Sequence, residues 1–349
     1  MLNTRHMWRW LWAGLLIIPL FILTNSNPTT VSRAEDEAVR PEFKTVYEMT
    51  DLPVLQGRAT RSWVWGPAGF KTDNEPYEDA PGGKRLVQYF DKGRLELNNP
   101  TNSVVTSGLL AKELMTGQLQ LSDGKFETRG PSSLSVAGDF DDVSAPSYAD
   151  LGLLFDKPAL TVSQVISTYI RPDGTQSLIS KLADYKVTAV EYAAGSKHTI
   201  ANVFKDFLNL EGLVYKNGAF VQGKIFENTA FATGLPLTEP YWASAKVGGK
   251  VQDVLVQGFE RRVLTYTPAN SVGFQVEAGN IGRHYYQWRY EVTELQLLSL
   301  NDFHGRLLPE VSNNVPRGGA AYITTLVNQL RDANPNTLLI HAGDGAGAT

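Results

Sequence analysis

Residues 233–285 read TGLPLTEPYWASAKVGGKVQDVLVQGFERRVLTYTPANSVGFQVEAGNIGRHY. Much of that order occurs once before, at residues 65–114, as WGPAGFKTDNEPYEDAPGGKRLVQYFDKGRLELNNPTNSVVTSGLLAKEL. Glu75-Pro76-Tyr77 pairs with Glu239-Pro240-Tyr241, Gly82-Gly83-Lys84 with Gly248-Gly249-Lys250, and Val87-Gln88 with Val256-Gln257. Further on, Phe90-Asp91-Lys92 pairs with Phe259-Glu260-Arg261 and Asn102-Ser103-Val104 with Asn270-Ser271-Val272, while Gly108 falls opposite Gly279. Matches in one order with few gaps predict an internal duplication. The copies span about 65–117 and 233–288, inside a module running from 35 to 290.

The local chemistry of each copy predicts an α+β unit of short twisted strands with helices. Its Gly- and Pro-containing opening is a turn, Val251 to Tyr266 is rich in β-formers, and Pro100 and Pro268 turn the chain again. Ahead of the second copy, Thr199 is placed to cap a helix whose apolar residues Ile200, Val203, Phe204, Phe207 and Leu208 have helical spacing. Tyr215-Lys216-Asn217-Gly218-Ala219-Phe220 predicts a hairpin, because Asn-Gly suits a type I′ turn. Asp123-Gly124 reads the same way.

The repeat also tests its own polar residues. His284 lies among Tyr285, Tyr286 and Trp288, but its counterpart is Glu113, so no metal ligand is shared there. His198 precedes a helix and is expected to be exposed or to pack at the helix start. Asp91-Lys92 and Glu260-Arg261 occur in both copies, yet adjacent strand residues point to opposite faces, so a solvated structural face is expected. Glu96 faces Thr265 across the repeat, so no carboxylate pair for glycoside hydrolysis persists in both copies. The clustered Trp and Tyr residues could bind glycan, although packing is the simpler account.

On length alone, 349 residues suggest two domains. The 32 basic and 36 acidic residues are interspersed, with a net charge of −4 and no Lys/Arg block, which argues against a nucleic-acid partner. Cysteine is absent, so neither disulfides nor thiolate chemistry is available, and any metal must be held by His, Asp, Glu or Asn. At the N-terminus, Arg5, His6 and Arg9 precede an apolar run from Trp10 to Leu23, shorter than the ~20 residues of a spanning helix. Residues 1–34 therefore predict a signal peptide, with cleavage after Ser32-Arg33-Ala34, or an uncleaved anchor. Either way the protein is expected to be exported, extracellular or in the cell envelope, touching a membrane only through that segment.

After Tyr290 the character changes. Leu295 to Leu300 reads as a strand running directly into Asn301-Asp302-Phe303-His304-Gly305-Arg306. Arg317-Gly318-Gly319 leads into a helix with Ile323, Leu326, Val327 and Leu330 on one face, which Asn334-Pro335 stops. Thr337 to His341 is a second short strand, ending in Ala342-Gly343-Asp344-Gly345. Strand, helix and strand of this size predict a right-handed βαβ unit with parallel strands. Asp302, His304 and Asp344 then follow the carboxyl ends of neighbouring strands, where open α/β sheets place their sites. Asp-x-His sets a carboxylate and an imidazole on one side of a strand end, able to hold one divalent ion. A further carboxylate could bridge two ions ~3.5–4 Å apart. Gly343 and Gly345 leave room for a tight turn.

Two resemblances follow. The stretch Gly234-Leu235-Pro236-Leu237-Thr238-Glu239, Val256-Gln257-Gly258-Phe259-Glu260-Arg261 and Gly279-Asn280-Ile281-Gly282 resembles a repeat of Chloroflexi-type extracellular proteins, whose role is not established. The first copy departs from that pattern at Gly66-Pro67 and at Ser107-Gly108. Leu297 to Thr349 resembles the start of a 5′-nucleotidase-type calcineurin-like metallophosphoesterase, through Asn301-Asp302-Phe303-His304-Gly305-Arg306-Leu307 and His341-Ala342-Gly343-Asp344. That resemblance implies two divalent metal ions, Zn, Mn or similar, with Asp302 and His304 on the first and Asp344 bridging both. No catalytic role is carried to Arg306, and His341 is read as structural.

The family also needs an Asn-His pair with an adjoining acid and a Gly-His-x-His motif, and neither follows Asp344. The expectation is thus an incomplete α/β (βαβ) start of a metallophosphoesterase domain at 291–349, inactive by itself, in a parent hydrolysing nucleotides or other phosphate monoesters. The rival expectation is a non-enzymatic surface module that binds a cell-envelope component.

Overall fold

The computed structural model describes residues 36–139, 142, 144–290, 296–300, 303–305, 307–312, 314–334, 337–341 and 343. The expected signal or anchor segment lies outside them. So do Asp302, Arg306, Asp344 and Gly345. The fold is mixed α and β, with several small sheets and no closed barrel among the described residues.

Helix α1 (Pro41–Leu55) leads into an antiparallel meander of β1 (Gly69–Pro76), β2 (Lys84–Phe90), β3 (Gly93–Leu97) and β4 (Val105–Ser107). Then come α2 (Leu110–Thr116), the hairpin of β5 (Gln118–Gln120) with β6 (Phe126–Thr128), and α3 (Tyr148–Gly152). Strands β7 (Thr168–Ile170), β8 (Gln176–Leu178), β9 (Ala189–Tyr192) and β10 (Thr199–Ala201) precede α4 (Asn202–Leu208). After the hairpin of β11 (Glu211–Lys216) and β12 (Ala219–Lys224) and the short α5 (Thr229–Ala232) comes a second meander. It consists of β13 (Tyr241–Val247), β14 (Lys250–Gly258), β15 (Val263–Tyr266) and β16 (Val276–Ala278), extended by β7 and β8 beyond β13, and is followed by α6 (Ile281–Tyr290). The last elements are β17 (Gln296–Leu300), β18 (Glu310–Ser312), β19 (Val315–Arg317), α7 (Ala320–Ala333) and β20 (Thr337–His341).

The two meanders share strand order and register. Glu96 faces Val87 and Thr106, while Thr265 faces Val256 and Glu277. Each Gly-Gly pair turns a hairpin at positive φ, at Gly82-Gly83 and Gly248-Gly249. A helix precedes each meander and is tied to it in the same way, which the sequence reading missed for the first. Gln88 accepts from Arg40 N and donates to Ala38 O ahead of α1. Gln257 accepts from Ala201 N and donates to Thr199 O ahead of α4. One turn into each helix sits a fully buried ring, Phe43 or Phe204, in a single core that also holds Trp65, Phe90, Trp242 and Phe259.

One sequence match does not survive. Val87 faces Asp73 while Val256 faces Tyr241, so Tyr241 stands where Asp73 does, not where Tyr77 does. The Glu-Pro-Tyr identity is therefore out of step with the shared strand frame. Other local expectations divide. Asn217 and Gly218 adopt positive φ between Lys216 and Ala219, which face each other, as Asn-Gly chemistry requires. The Asp123-Gly124 turn is longer, spanning Leu121 to Lys125 between the paired Gln120 and Phe126. Thr199 does not cap α4; it lies in β10, and Ala201 occupies the N-cap.

Each meander is covered at its β-turn by the helix that follows the other. Gly282 of α6 donates its N–H to Asp91 O, and Lys112 of α2 donates to Glu260 O. The approach of α6 is so close that a Cβ on Gly282 would stand 1.8 Å from Phe90 O. No helix among the described residues is long and apolar enough to cross a membrane.

Candidate functional site

Strands β17 and β20 pair in parallel with α7 between them, in a register that sets Leu300 against His341. Asp302 and His304 follow Leu300 by two and four residues, and Asp344 follows His341 by three. The two strands are thus parallel, while two of the three expected metal ligands fall outside the described residues. His304 is exposed and sits at φ 51° in a turn rather than on a strand end, followed by Gly305 at φ 64°. Gly343 takes φ 130°, a value that favours glycine, and donates its N–H to His341 Nδ1 at 3.2 Å. The short hairpin of β18 and β19, ahead of α7, was not anticipated. Among the described residues no group of three or more His, Asp or Glu is gathered to hold a metal.

Inside the first meander lies a dense ionic cluster. Arg94 bonds Glu75 at 3.0 Å, Arg85 bonds Glu96 at 3.2 Å, and Arg94 also bonds Glu96. From α6, Arg289 and Tyr290 reach Glu75 at 3.3 and 2.7 Å, and Tyr285 donates to Glu113 at 2.6 Å. Burial alone would raise the Glu96 carboxyl, but Arg85 and Arg94 outweigh it and hold its pKa down at about 2. Glu113 is pushed upward by burial. The guanidinium groups of Arg85, Arg94 and Arg289 and the carboxylates of Glu75 and Glu96 are buried and paired with one another, so the cluster ties α6 to the meander.

The shared acidic-basic pairs also differ from expectation. Asp91-Lys92 and Glu260-Arg261 lie in the turns after β2 and β14, and they are not a solvated face. Lys92 Nζ reaches Ala278 O at 2.7 Å, and the Arg261 guanidinium reaches Ser107 O. Burial lowers the Lys92 pKa. The sequence could not reveal this, because the partner carbonyls are supplied by the other meander.

The histidines are placed as follows. His284 Nδ1 lies 2.9 Å from the Tyr148 hydroxyl, and burial depresses its pKa to about 4, so it is a neutral packing group. His198 is 4 % exposed, contrary to the expectation of an exposed or helix-start residue. Its Nδ1 lies 3.1 Å from Glu239 Oε1, and Glu239 also accepts from Thr199 N at 2.9 Å, from the Thr199 hydroxyl and from Leu160 N at 3.2 Å. Those donors fix the carboxylate, which in turn fixes the imidazole. Beside His198 opens a pocket of about 200 Å³. A larger cavity of about 380 Å³ lies between α1 and the 225–232 segment, lined by Met49, Trp65 and Phe231. Its one carboxylate, Glu227, is paired with Lys216, so it offers shape without chemistry.

Compared with protein families, with curated proteins and with solved structures, the chain finds no match in any of the three.

Proposed function

We propose that residues 291–349 are the opening βαβ unit of a dinuclear, 5′-nucleotidase-like metallophosphoesterase, carried behind a duplicated extracellular module in an exported protein. The observation that carries this reading is the parallel, in-register pairing of β17 with β20. It ends both strands at one sheet edge, immediately before Asp302, His304 and Asp344. Two carboxylates and an imidazole are a donor set suited to Zn or Mn. Asp302 and His304 would hold one ion and Asp344 would bridge to the second; bound ions would supply an activated water and charge neutralisation at phosphorus.

Activity is assigned to a longer protein. Leu297, Leu338 and Ile340 are 59 %, 52 % and 48 % exposed, whereas parallel strands of doubly wound sheets are covered on both faces. The unit therefore needs further cover before it could enclose two ions. Duplication of the module is supported by the common register, the matching Gln88 and Gln257 clamps, and the reciprocal Lys92 and Arg261 contacts.

The test is to express the reading frame through and beyond the Thr349 codon and assay phosphate release from nucleoside monophosphates with Mn or Zn. Turnover is expected from the longer product, none from residues 1–349, and none after Asp344→Asn. A stop directly after Thr349, or turnover unchanged by Asp344→Asn, would overturn the reading; the stop would favour a surface-binding role.

A further inference from the structure

The two meanders treat one equivalent position differently. In the first, the Asp91 carboxylate lies beside Gly66, and Arg283 of α6 fills the space next to it. Its Nε is 2.6 Å from Asp91 Oδ1, and its guanidinium lies 4.4 Å from the centre of the Phe70 ring. In the second, the Glu260 carboxylate lies beside Gly234 in the same manner. Counted from the helix start, Arg283 corresponds to Lys112, although α2 meets its turn one residue out of step with α6, since Lys112 rather than Ala111 donates its N–H to Glu260 O. The Lys112 side chain is exposed and makes no ion pair with Glu260 among those formed by the described residues. What remains there is the 200 Å³ pocket, walled by Glu260, Phe155, Leu235, Leu237 and His198.

We propose that this pocket is a binding site for a guanidinium group, the place that Arg283 fills in the other half of the module. The inference rests on the duplicated-module reading. The chemistry matches in kind: a carboxylate to pair with the cation and an aromatic ring on which a planar guanidinium can lie. Glu260 uses Oε2 to accept from Leu235 N at 3.0 Å, leaving Oε1 for a ligand. His198 adds a third group. Its Nδ1 lies 3.1 Å from the buried Glu239 Oε1, so the ring is held in place at the pocket wall. Lys197, also on the rim, is exposed and free to swing into solvent. The ligand could be a free guanidino compound or an arginine side chain of a partner protein, since the recognised group is the same.

Calorimetric titration of the full chain with agmatine, with a peptide carrying one arginine, and with the citrulline version of that peptide tests the site. One equivalent of agmatine or arginine peptide is expected to bind, with the citrulline peptide at least about tenfold weaker. Glu260→Gln and, separately, Phe155→Ala should each weaken binding by about tenfold, the second variant covering a folding defect in the first. A peptide binding at least tenfold tighter than agmatine identifies a protein partner, and equal affinities identify a small molecule. Arg283→Ala serves as the control, because it should open the equivalent place beside Asp91 and raise the stoichiometry to two. Binding to Arg283→Ala but not to wild type would overturn the proposed site while leaving the duplication standing. No binding to either, or equal binding of arginine and citrulline peptides, would also overturn it.

Discussion

Lys92 crosses from one meander to donate to the main-chain carbonyl of Ala278 in the other, and Arg261 makes the return contact to Ser107. Both carbonyls belong to the residue just before a glycine, Gly279 or Gly108, that leads towards the following helix. The module is therefore joined across its middle by main-chain bonds to long basic side chains rather than by apolar packing alone. Lys92→Met should cost about 1–3 kcal/mol, since it strands a carbonyl with no alternative donor. The midpoint of urea unfolding measures it, and a shift under a few tenths of a kcal/mol would show the contact to be incidental.

Glu75 is shared by Arg94, Arg289, Tyr89 and Tyr290. Glu75→Gln removes the charge and leaves buried guanidinium groups uncompensated, with an expected loss of about 3–5 kcal/mol. Near-ultraviolet circular dichroism of the tyrosine cluster should fall with it. Retention of both stability and spectrum would mean that α6 does not depend on this carboxylate.

Gly282→Ala is a steric test. An added methyl would meet Phe90 O at 1.8 Å and Gly93 O at 2.6 Å, both main-chain atoms that cannot rotate away. α6 must shift, taking Tyr285 and Arg289 out of the cluster, so a loss above about 3 kcal/mol is expected. Wild-type thermal stability in this variant would contradict the described approach.

Acid should loosen the module through His284. Its folded pKa is depressed by burial to about 4 from an ordinary 6.5, so the unfolded chain binds the proton first. The neutral imidazole carries no penalty above pH 6.5, and stability then drains away as pH falls from 6.5 to about 4, by at most about 3 kcal/mol. His284→Gln can keep the bond to Tyr148 without the titration, so its stability relative to wild type should improve steadily through that window. Glu96, held down to about 2, extends the loss: its contribution is present above pH 4.5 and fades as pH falls towards 2.

What could be read from the sequence was what depends on near neighbours or on strand order. Asn217-Gly218 predicted its hairpin because the turn chemistry lies in two adjacent residues, and the apolar spacing from Ile323 to Leu330 predicted α7. Thr199 was misjudged because Glu239, forty residues away, claims both its N–H and its hydroxyl, leaving the cap to Ala201. The Glu-Pro-Tyr match misled because pairing runs on from Val256 to Lys250 in the second hairpin but only from Val87 to Lys84 in the first, so the same triplet enters at a different register. The basic turn residues look solvated to any local rule, and only the opposing meander buries them. Of the candidate metal centre, the described structure shows the parallel register of the two strands that precede the motifs, while Asp302 and Asp344 lie outside the described residues.

The exchange of helices bears on how the module would meet a protease. Leu153, at the end of α3 in the stretch connecting the halves, is 69 % exposed and is a natural place for a cut. Severing the chain there would leave α2 on the second meander and α6 on the first. The nicked protein should then travel as one particle through a sizing column, coming apart only in denaturant.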